Sequence, residues 1–228
     1  TPALPPGLTF VDIAAGPSHN LARLSDGSVI AWGSNGSGQC NVPALPQGLA
    51  YVELAAGSGF SMARRNDGSV IAWGTNQLGR CNVPGLPPGL TYVEIDAFYA
   101  HGIARRSDGS VVAWGRNADG QCNVTALPPG LSYKSIVTGI THSVALRSDN
   151  AIVAWGQNDH GQCSPPPFPP GLTPTQIVAG DAFTLGLRSD NLVVSWGKNG
   201  VGRRYPPALP PGVSVVSITA FSHFAALC

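Results

Sequence analysis

The chain has 228 residues, of which 11% are charged, and a net charge of +1; it carries 29 Gly and 21 Pro. So small a cationic excess excludes binding to a phosphate backbone. No apolar run approaches 18 residues, which excludes a helical membrane span. There is no initiator Met and no signal peptide, as in a mature secreted form or an excised piece.

In chain order, Phe10 to Ala15 reads as a short strand ending at Gly16, and His19 to Leu24 as a second. Ser25-Asp26-Gly27-Ser28 is a hairpin signal, and Asp-Gly predicts a type I′ turn with positive φ at both central residues. Val29 to Gly33 is a third strand, and Gln39 to Val42 is predicted as a short fourth. Pro43 to Leu49 is a rigid connector, since proline fixes φ and cannot donate to a ladder. The same succession returns every 41 residues: Trp32, Trp73, Trp114, Trp155 and Trp196 keep that step, as do Cys40, Cys81, Cys122 and Cys163. The turn aspartates Asp26, Asp67, Asp108, Asp149 and Asp190 keep it too. A fixed period of this size marks one supersecondary unit copied along the chain, each too small to bury its own core.

No segment has a helical apolar period, so the class is all-β. Three or four antiparallel strands per copy, repeated radially, predict a β-propeller built from 41-residue repeats. A parallel β-helix fits less well, because its coils are usually shorter and lack a hairpin in each copy. The 228 residues hold five periods and 23 more, so residues 1–228 are expected to form one propeller domain of about six units. The last unit is incomplete, lacking its Trp strand; an open arc cut from a larger ring, or one completed by a neighbouring molecule, is the alternative. The segment Pro206 to Cys228 is expected to pair beside the first unit and close the ring.

The string A-A-G-x-x-H-x-x-A-x-x-S-D-G-S-V-x-A-W-G-x-N-x-x-G-Q-C-N-V-P-A-L-P-P-G-L resembles the regulator-of-chromosome-condensation (RCC1) repeat over the whole chain. It is similar to the short-blade bacterial branch of that family, which includes a propeller-type protein inhibitor of β-lactamases. The resemblance implies a propeller, a bacterial source and secretion. It does not specify function, because this fold hosts exchange factors, inhibitors and adhesion modules.

The repeated residues read first as structure. Each Trp, followed by Gly at a strand end, reads as a wedge between units rather than a stacking platform. His19, His101 and His142 share one repeat position with Phe60, Phe183 and Phe224. That exchange argues for packing with an optional hydrogen bond over metal ligation, so no metal and no cofactor is expected. The in-phase cysteines occur once per unit, too far apart for disulfides, and read as small buried apolar groups. Cys228 is left over and could bridge two molecules. Asp12, Glu53 and Glu94 recur on a strand and read as structural. Asn123-Val124-Thr125 is a lone glycosylation sequon. No catalytic triad or paired-carboxylate motif stands out, so no catalytic residue is assigned.

Alternating strand direction places the A-A-G-x-x-H loop and the W-G-x-N-x-x-G loop on one rim, and the hairpin and proline connector on the other. The hairpin rim is nearly invariant among the copies; the first rim is not. Its varying residues are the candidate partner-binding set: Gln77, Leu78, Phe98, Tyr99, Asp119, Ile140, Thr141, Asp159, His160 and Asp181. Phe98, Tyr99, Leu78 and Ile140 carry the expectation, because exposed apolar side chains in loops are typical interface anchors. Neutral drift of exposed loops is the competing explanation. The expected function is a secreted, non-enzymatic scaffold that binds a protein partner. A carbohydrate-binding or self-assembling surface module, joined through the incomplete unit or Cys228, is the alternative, and an enzyme with an unrecognised site is third.

Overall fold

The structure is a computed structural model that describes residues 3–198, 214–220 and 224–227. Residues 206–213 and Cys228, on which part of the expected closure and the intermolecular bridge rest, lie outside the described residues. The chain divides into two compact units, Thr1–Arg116 and Asn117–Cys228.

The first unit holds three sheets of three strands each. They are β1 (Phe10–Ala15), β2 (His19–Leu24) and β3 (Val29–Gly33); β4 (Tyr51–Ala56), β5 (Phe60–Arg65) and β6 (Val70–Gly74); and β7 (Tyr92–Phe98), β8 (His101–Arg106) and β9 (Val111–Gly115). The second unit holds β10 (Tyr133–Thr138), β11 (His142–Arg147) and β12 (Ile152–Gly156), then β13 (Pro174–Ala179), β14 (Phe183–Arg188) and β15 (Val193–Gly197). A two-stranded sheet of β16 (Ser217–Ala220) and β17 (Phe224–Leu227) follows. Every strand pair is antiparallel. The three strands expected from each repeat form where the apolar runs place them.

The fourth does not. Among the described residues, Gln39 to Val42 and its counterparts form turns and irregular chain. The reason is local: Asn35 Oδ1 accepts the Cys40 amide at 2.8 Å and its Nδ2 donates to Asn41 Oδ1 at 2.8 Å. These bonds curl the segment back on the Trp strand's end and withdraw its amides from any ladder.

The hairpin turn also differs from type I′. Gly27 takes φ 81°, but Asp26 stays out of the left-handed region. The Gly27 amide donates to Leu24 O at 2.9 Å and the Leu24 amide to Ser28 O at 2.8 Å, which describes a type I turn closed by a glycine bulge. Asp26 Oδ1 favours that geometry by accepting both the Ser28 amide and the Ser28 hydroxyl. Where Asn replaces the glycine, Asn150 and Asn191 take φ 68° and 63°.

Sheets pack face to face within each unit. Leu21 of the first sheet meets Tyr51, Leu54 and Trp73 of the second; Phe60 and Met62 of the second meet Tyr92, Ile95 and Trp114 of the third. In the other unit Val144 and Leu146 pack on Ile177 and Ala179, and Phe183 and Leu185 on Val215 and Ile218. The tryptophans are the wedges that the sequence suggests. Trp73, Trp114, Trp155 and Trp196 are buried, and each indole donates to a backbone carbonyl 34 residues earlier, in the preceding repeat. Tyr51, Tyr92 and Tyr133 add an anchor the sequence reading missed. Their hydroxyls donate to Pro43 O, Pro84 O and Thr125 O at 2.6–2.8 Å, tying the connector to the next sheet.

Cys40, Cys81, Cys122 and Cys163 are thiols, half-buried rather than buried. Cys40, Cys81 and Cys163 thiols lie 3.3–3.4 Å from the carbonyls of Ser34, Thr75 and Gln157, to which they donate. The repeated acids are structural as read: Glu53 and Glu94 pair with Arg64 and Arg105 at 2.6 Å, and Glu53 also accepts the Ile95 amide.

Candidate binding rim

Within each sheet the first loop and the segment after the Trp strand meet at one end. The Ser34 amide donates to Ser18 O, Thr75 to Gly59 O, Arg116 to Ala100 O, Gln157 to Thr141 O and Lys198 to Ala182 O. At the other end the hairpin meets the connector: Ser25 binds Thr9, Asn66 binds Ala50, Ser107 binds Thr91 and Ser148 binds Ser132. The variable loops of each unit therefore share a rim.

That rim is built by a repeated device. The Gln of the G-Q-C motif folds its side chain back onto its own loop. Gln39 Oε1 accepts the Ser37 amide, Gln121 Oε1 the Asp119 amide and Gln162 Oε1 the His160 amide, each at 2.9–3.0 Å. Arg80 stands at this position in the second repeat and has no acceptor to offer. Leu78, whose amide would be the donor, turns instead into a short 3₁₀ segment with φ 62°. Arg80 Nη1 swings to Ser58 O at 2.8 Å.

A second departure lies beside the first. The loop after the first strand begins with Gly16, Gly57, Gly139 and Gly180, but with Phe98 in the third repeat. Glycine is required there: a Cβ on Gly57 would stand 2.0 Å from the Phe60 ring, and one on Gly139 2.2 Å from His142 Cε1. Phe98 cannot let the loop fold under the next ring. β7 instead runs one residue longer, Phe98 pairs with His101, and Tyr99 turns the corner at φ 49°. Tyr99 O accepts the Ser58 amide at 2.6 Å. Ser58 thus ties the Arg80–Leu78 loop to the Tyr99 loop through its own carbonyl and amide.

The outcome is two large apolar residues in the left-handed region, where bulky side chains are rare. Leu78 is 62% exposed and Tyr99 42%. Gln77 is exposed beside them, whereas Phe98 is half-buried and does not project as the sequence expectation had it. In the second unit the rim is polar. Thr141 Oγ1 donates to Gln157 Oε1 at 2.6 Å, and Gln157 Nε2 donates to Asp159 Oδ2 at 2.8 Å. Asp159 and His160 are exposed, while Asp119, Ile140, Thr141 and Asp181 are half-buried. Ile140 is held down by its amide bond to Gly180 O at 3.3 Å. The structure thus gathers Gln77, Leu78 and Tyr99 on one unit's rim, and Thr141 with Asp159 on the other's. Sequence reasoning missed Ser58 and Arg80; the signal was present in Arg80 as a break in the G-Q-C motif.

Among the described residues no three His, Cys, Asp or Glu side chains cluster to hold a metal ion. The hairpin-rim acids are engaged in turns: the Ser28 hydroxyl and amide hold Asp26 below the usual carboxylate range, and the Arg147 guanidinium lowers Asp149 to about 2. Among the described residues no helix is long and apolar enough to cross a membrane.

Repeated three-stranded antiparallel sheets, four of which carry a buried Trp wedge, define a repeat β-propeller. The RCC1 repeat model matches residues 10–39, 51–80, 95–121, 133–162 and 175–203, well over half of the chain, and the protein belongs to that family. Among solved structures it is similar to yeast RCC1 (Prp20) bound to Kap60, with 23% identity over 94% of this chain and 66% of that one, TM-score 0.79. Prp20p from Saccharomyces cerevisiae, described with its binding properties to Gsp1p and histones, matches at 25% identity over 87% of this chain and 59% of that one, TM-score 0.74. The ectodomain of the Physcomitrella patens receptor kinase CR4 matches at 23% identity over 96% and 58%, TM-score 0.73. The chain spans less than two thirds of the length of each of these three. No curated protein matches it.

Proposed function

We propose that the chain is a non-enzymatic binding scaffold that engages a protein partner through the variable rim, with Tyr99 and Leu78 as its anchors. One observation carries this reading. At two neighbouring places the repeat abandons the residue that relaxes its loop, and both departures put a bulky apolar side chain, exposed and in a costly backbone conformation, on the same rim. Left-handed conformations of such residues cost about 1–3 kcal/mol and cluster at functional sites. Drift of exposed loops has no reason to concentrate that cost. A fold of this class is often used for protein binding: yeast RCC1 (Prp20) has been crystallised bound to Kap60, and Prp20p is described with its binding properties to Gsp1p and histones.

A bacterial source and secretion complete the reading. Their support is the resemblance to the short-blade bacterial branch. Free thiols suit the outside of a cell here because burial pushes Cys122 and Cys163 up to about 11, which keeps them protonated and slow to oxidise.

The test is capture from culture medium and cell extract by the immobilised chain. Tyr99→Ala with Leu78→Ala is expected to abolish the captured band, since an aromatic anchor contributes about 2 kcal/mol or more at an interface. Ser69→Ala with Ser110→Ala, on the hairpin rim, is expected to leave it intact. Equal loss from both rims would refute the rim as the binding face.

A further inference from the structure

The second, third and fourth sheets begin with Tyr51, Tyr92 and Tyr133, each paired across to an arginine, Arg65, Arg106 or Arg147. The three rings are buried, and their hydroxyls donate to carbonyls eight residues earlier, Pro43 O, Pro84 O and Thr125 O. The fifth sheet begins with Pro174, paired in the same register to Arg188. Proline has neither an aromatic ring nor a hydroxyl, and Pro166 stands eight residues earlier, at the position of the accepting carbonyl. Among the described residues Pro166 O accepts no hydrogen bond.

The residues around this position differ as well. Val29, Val42 and Leu45 pack in one cluster with Tyr51, and Val70, Val83 and Leu86 with Tyr92. Their counterparts next to Pro174 are Ile152, Pro165 and Phe168. Phe168 is larger than the leucine of the other connectors, and its ring reaches β14 at Gly186, where the four preceding repeats have alanine. A Cβ on Gly186 would stand 3.6 Å from Phe168 Cζ. This repacking does not fill the place of the tyrosine. A surface cavity of about 390 Å³ is lined there by Ile152, Pro165, Pro166, Phe168 and Pro174, together with the Asp149 turn. It lies wholly within the second unit, and its volume falls in the roughly 300–1,000 Å³ range of small-ligand sites.

The chemistry of the walls selects what fits. Four of the eleven lining residues are prolines, which present carbonyls but no N–H. The amides of Asn150, Ala151, Leu172 and Thr173 are already spent on Arg147 O, Asp149 Oδ1, Pro169 O and Ser189 Oγ. The walls therefore offer acceptors to a donating ligand, and proline and phenyl faces to a flat ring. No cation lines the cavity, Arg147 is engaged by Asp149, and the Asp149 carboxylate itself stands in the lining, so an anionic ligand is disfavoured. We propose that this cavity binds a neutral phenol, its ring in the place that tyrosine takes in the three preceding sheets and its hydroxyl donating to Pro166 O.

The test titrates the full chain with p-cresol, toluene and N-acetyl-tyrosinamide and follows side-chain resonances by NMR. p-Cresol is expected to shift the Ile152 methyl and Phe168 ring signals and to leave Ile71, in the first unit, unmoved. Toluene, which lacks the hydroxyl, is expected to bind about threefold to tenfold more weakly, the net worth of one hydrogen bond. Displacement of p-cresol by N-acetyl-tyrosinamide would assign the site to the tyrosine side chain of a partner; failure to displace it would assign the site to a free phenol. Pro174→Tyr with Phe168→Leu and Gly186→Ala returns the protein's own ring to the cavity and is expected to lose the p-cresol response, with circular dichroism confirming the fold. Ile152 and Phe168 signals that p-cresol leaves unmoved overturn the proposal, as does toluene binding as tightly as p-cresol or a response that survives in the folded variant. Should that variant not fold, the comparison of p-cresol with toluene on the wild type decides alone.

Discussion

His19, His142 and their neighbours show how one side chain links adjacent repeats. His19 Nε2 lies 2.8 Å from Ser61 Oγ, and Ser61 Oγ donates to Gln39 O at 2.8 Å. His142 repeats this with Thr184 at 3.0 Å, and Thr184 donates to Gln162 O at 3.0 Å. With the hydroxyl proton spent on the carbonyl, the imidazole must donate from Nε2, and the buried Nδ1 of each ring has no acceptor among the described residues to hold a second proton. Burial enforces the same state, holding His142 down to about 4. The consequence for pH has a definite sign. The unfolded ring takes up a proton near 6.5 while the folded ring stays neutral, so this stabilisation is full above pH 6.5 and is lost as pH falls toward 4. The gap corresponds to about 3 kcal/mol at most. Thermal melts of wild type and His142→Phe between those limits should show the larger acid loss in the wild type, with a remainder in the variant from His19, which burial also holds below its ordinary value.

The residue 42 positions after each ring varies with it. His19 is followed by Ser61, His101 by Ser143 and His142 by Thr184, but Phe60 by Gly102 and Phe183 by Ala225. A Cβ on Gly102 would stand 2.8 Å from Met62 Sδ and 3.0 Å from the Trp114 ring, so the space beside a Phe is already filled. His142→Phe alone should therefore cost about 1–3 kcal/mol through overpacking against Thr184. Adding Thr184→Gly should recover part of it, and a double-mutant cycle should give a coupling of about 1 kcal/mol. Additive effects would show that the two positions are independent.

At the scale of the element, the strand and its wedge set the energetics. Trp114→Ala should destabilise by about 3–5 kcal/mol, because it removes a buried indole and strands Arg80 O, its acceptor at 2.9 Å. Trp32→Ala should cost clearly less, since Trp32 is half-buried and has no such acceptor among the described residues. Chemical denaturation of the two variants compares them directly; equal losses would mean that the wedge role does not depend on a preceding repeat. The thiols belong to this scale too. Cys81, Cys122 and Cys163 should label slowly in the folded chain and rapidly in denaturant, whereas Cys40, nearest to solvent, should label first. A rapid native reaction at Cys122 would contradict a thiol held protonated by burial.

At the scale of the whole molecule, the strands were legible because a period of 41 residues displays each apolar run five times. The fourth strand misled because Gln-Cys-Asn-Val has a strand's apolar alternation, while Asn35 Oδ1, five residues earlier, takes the amide a ladder would need. The hairpin turn misled because Asp-Gly fits two turn types, and only the Ser28 bonds to Asp26 decide between them. At the rim, loop variability was visible, but which variable residues project was not. Ile140 and Phe98 read as exposed and are half-buried, because the Ile140 amide is held to Gly180 O and Phe98 extends β7 where other repeats have the loop glycine.

The central claim is that these departures from the repeat exist for binding. Restoring the repeat tests it most directly: Arg80→Gln with Phe98→Gly returns the loop-closing acceptor and the loop glycine while leaving Tyr99 and Leu78 in the sequence. The account predicts a variant as stable as wild type or slightly more so, within a few degrees in Tm, that no longer captures the partner. Full capture by the restored variant would show that the strained geometry of the rim has no part in recognition.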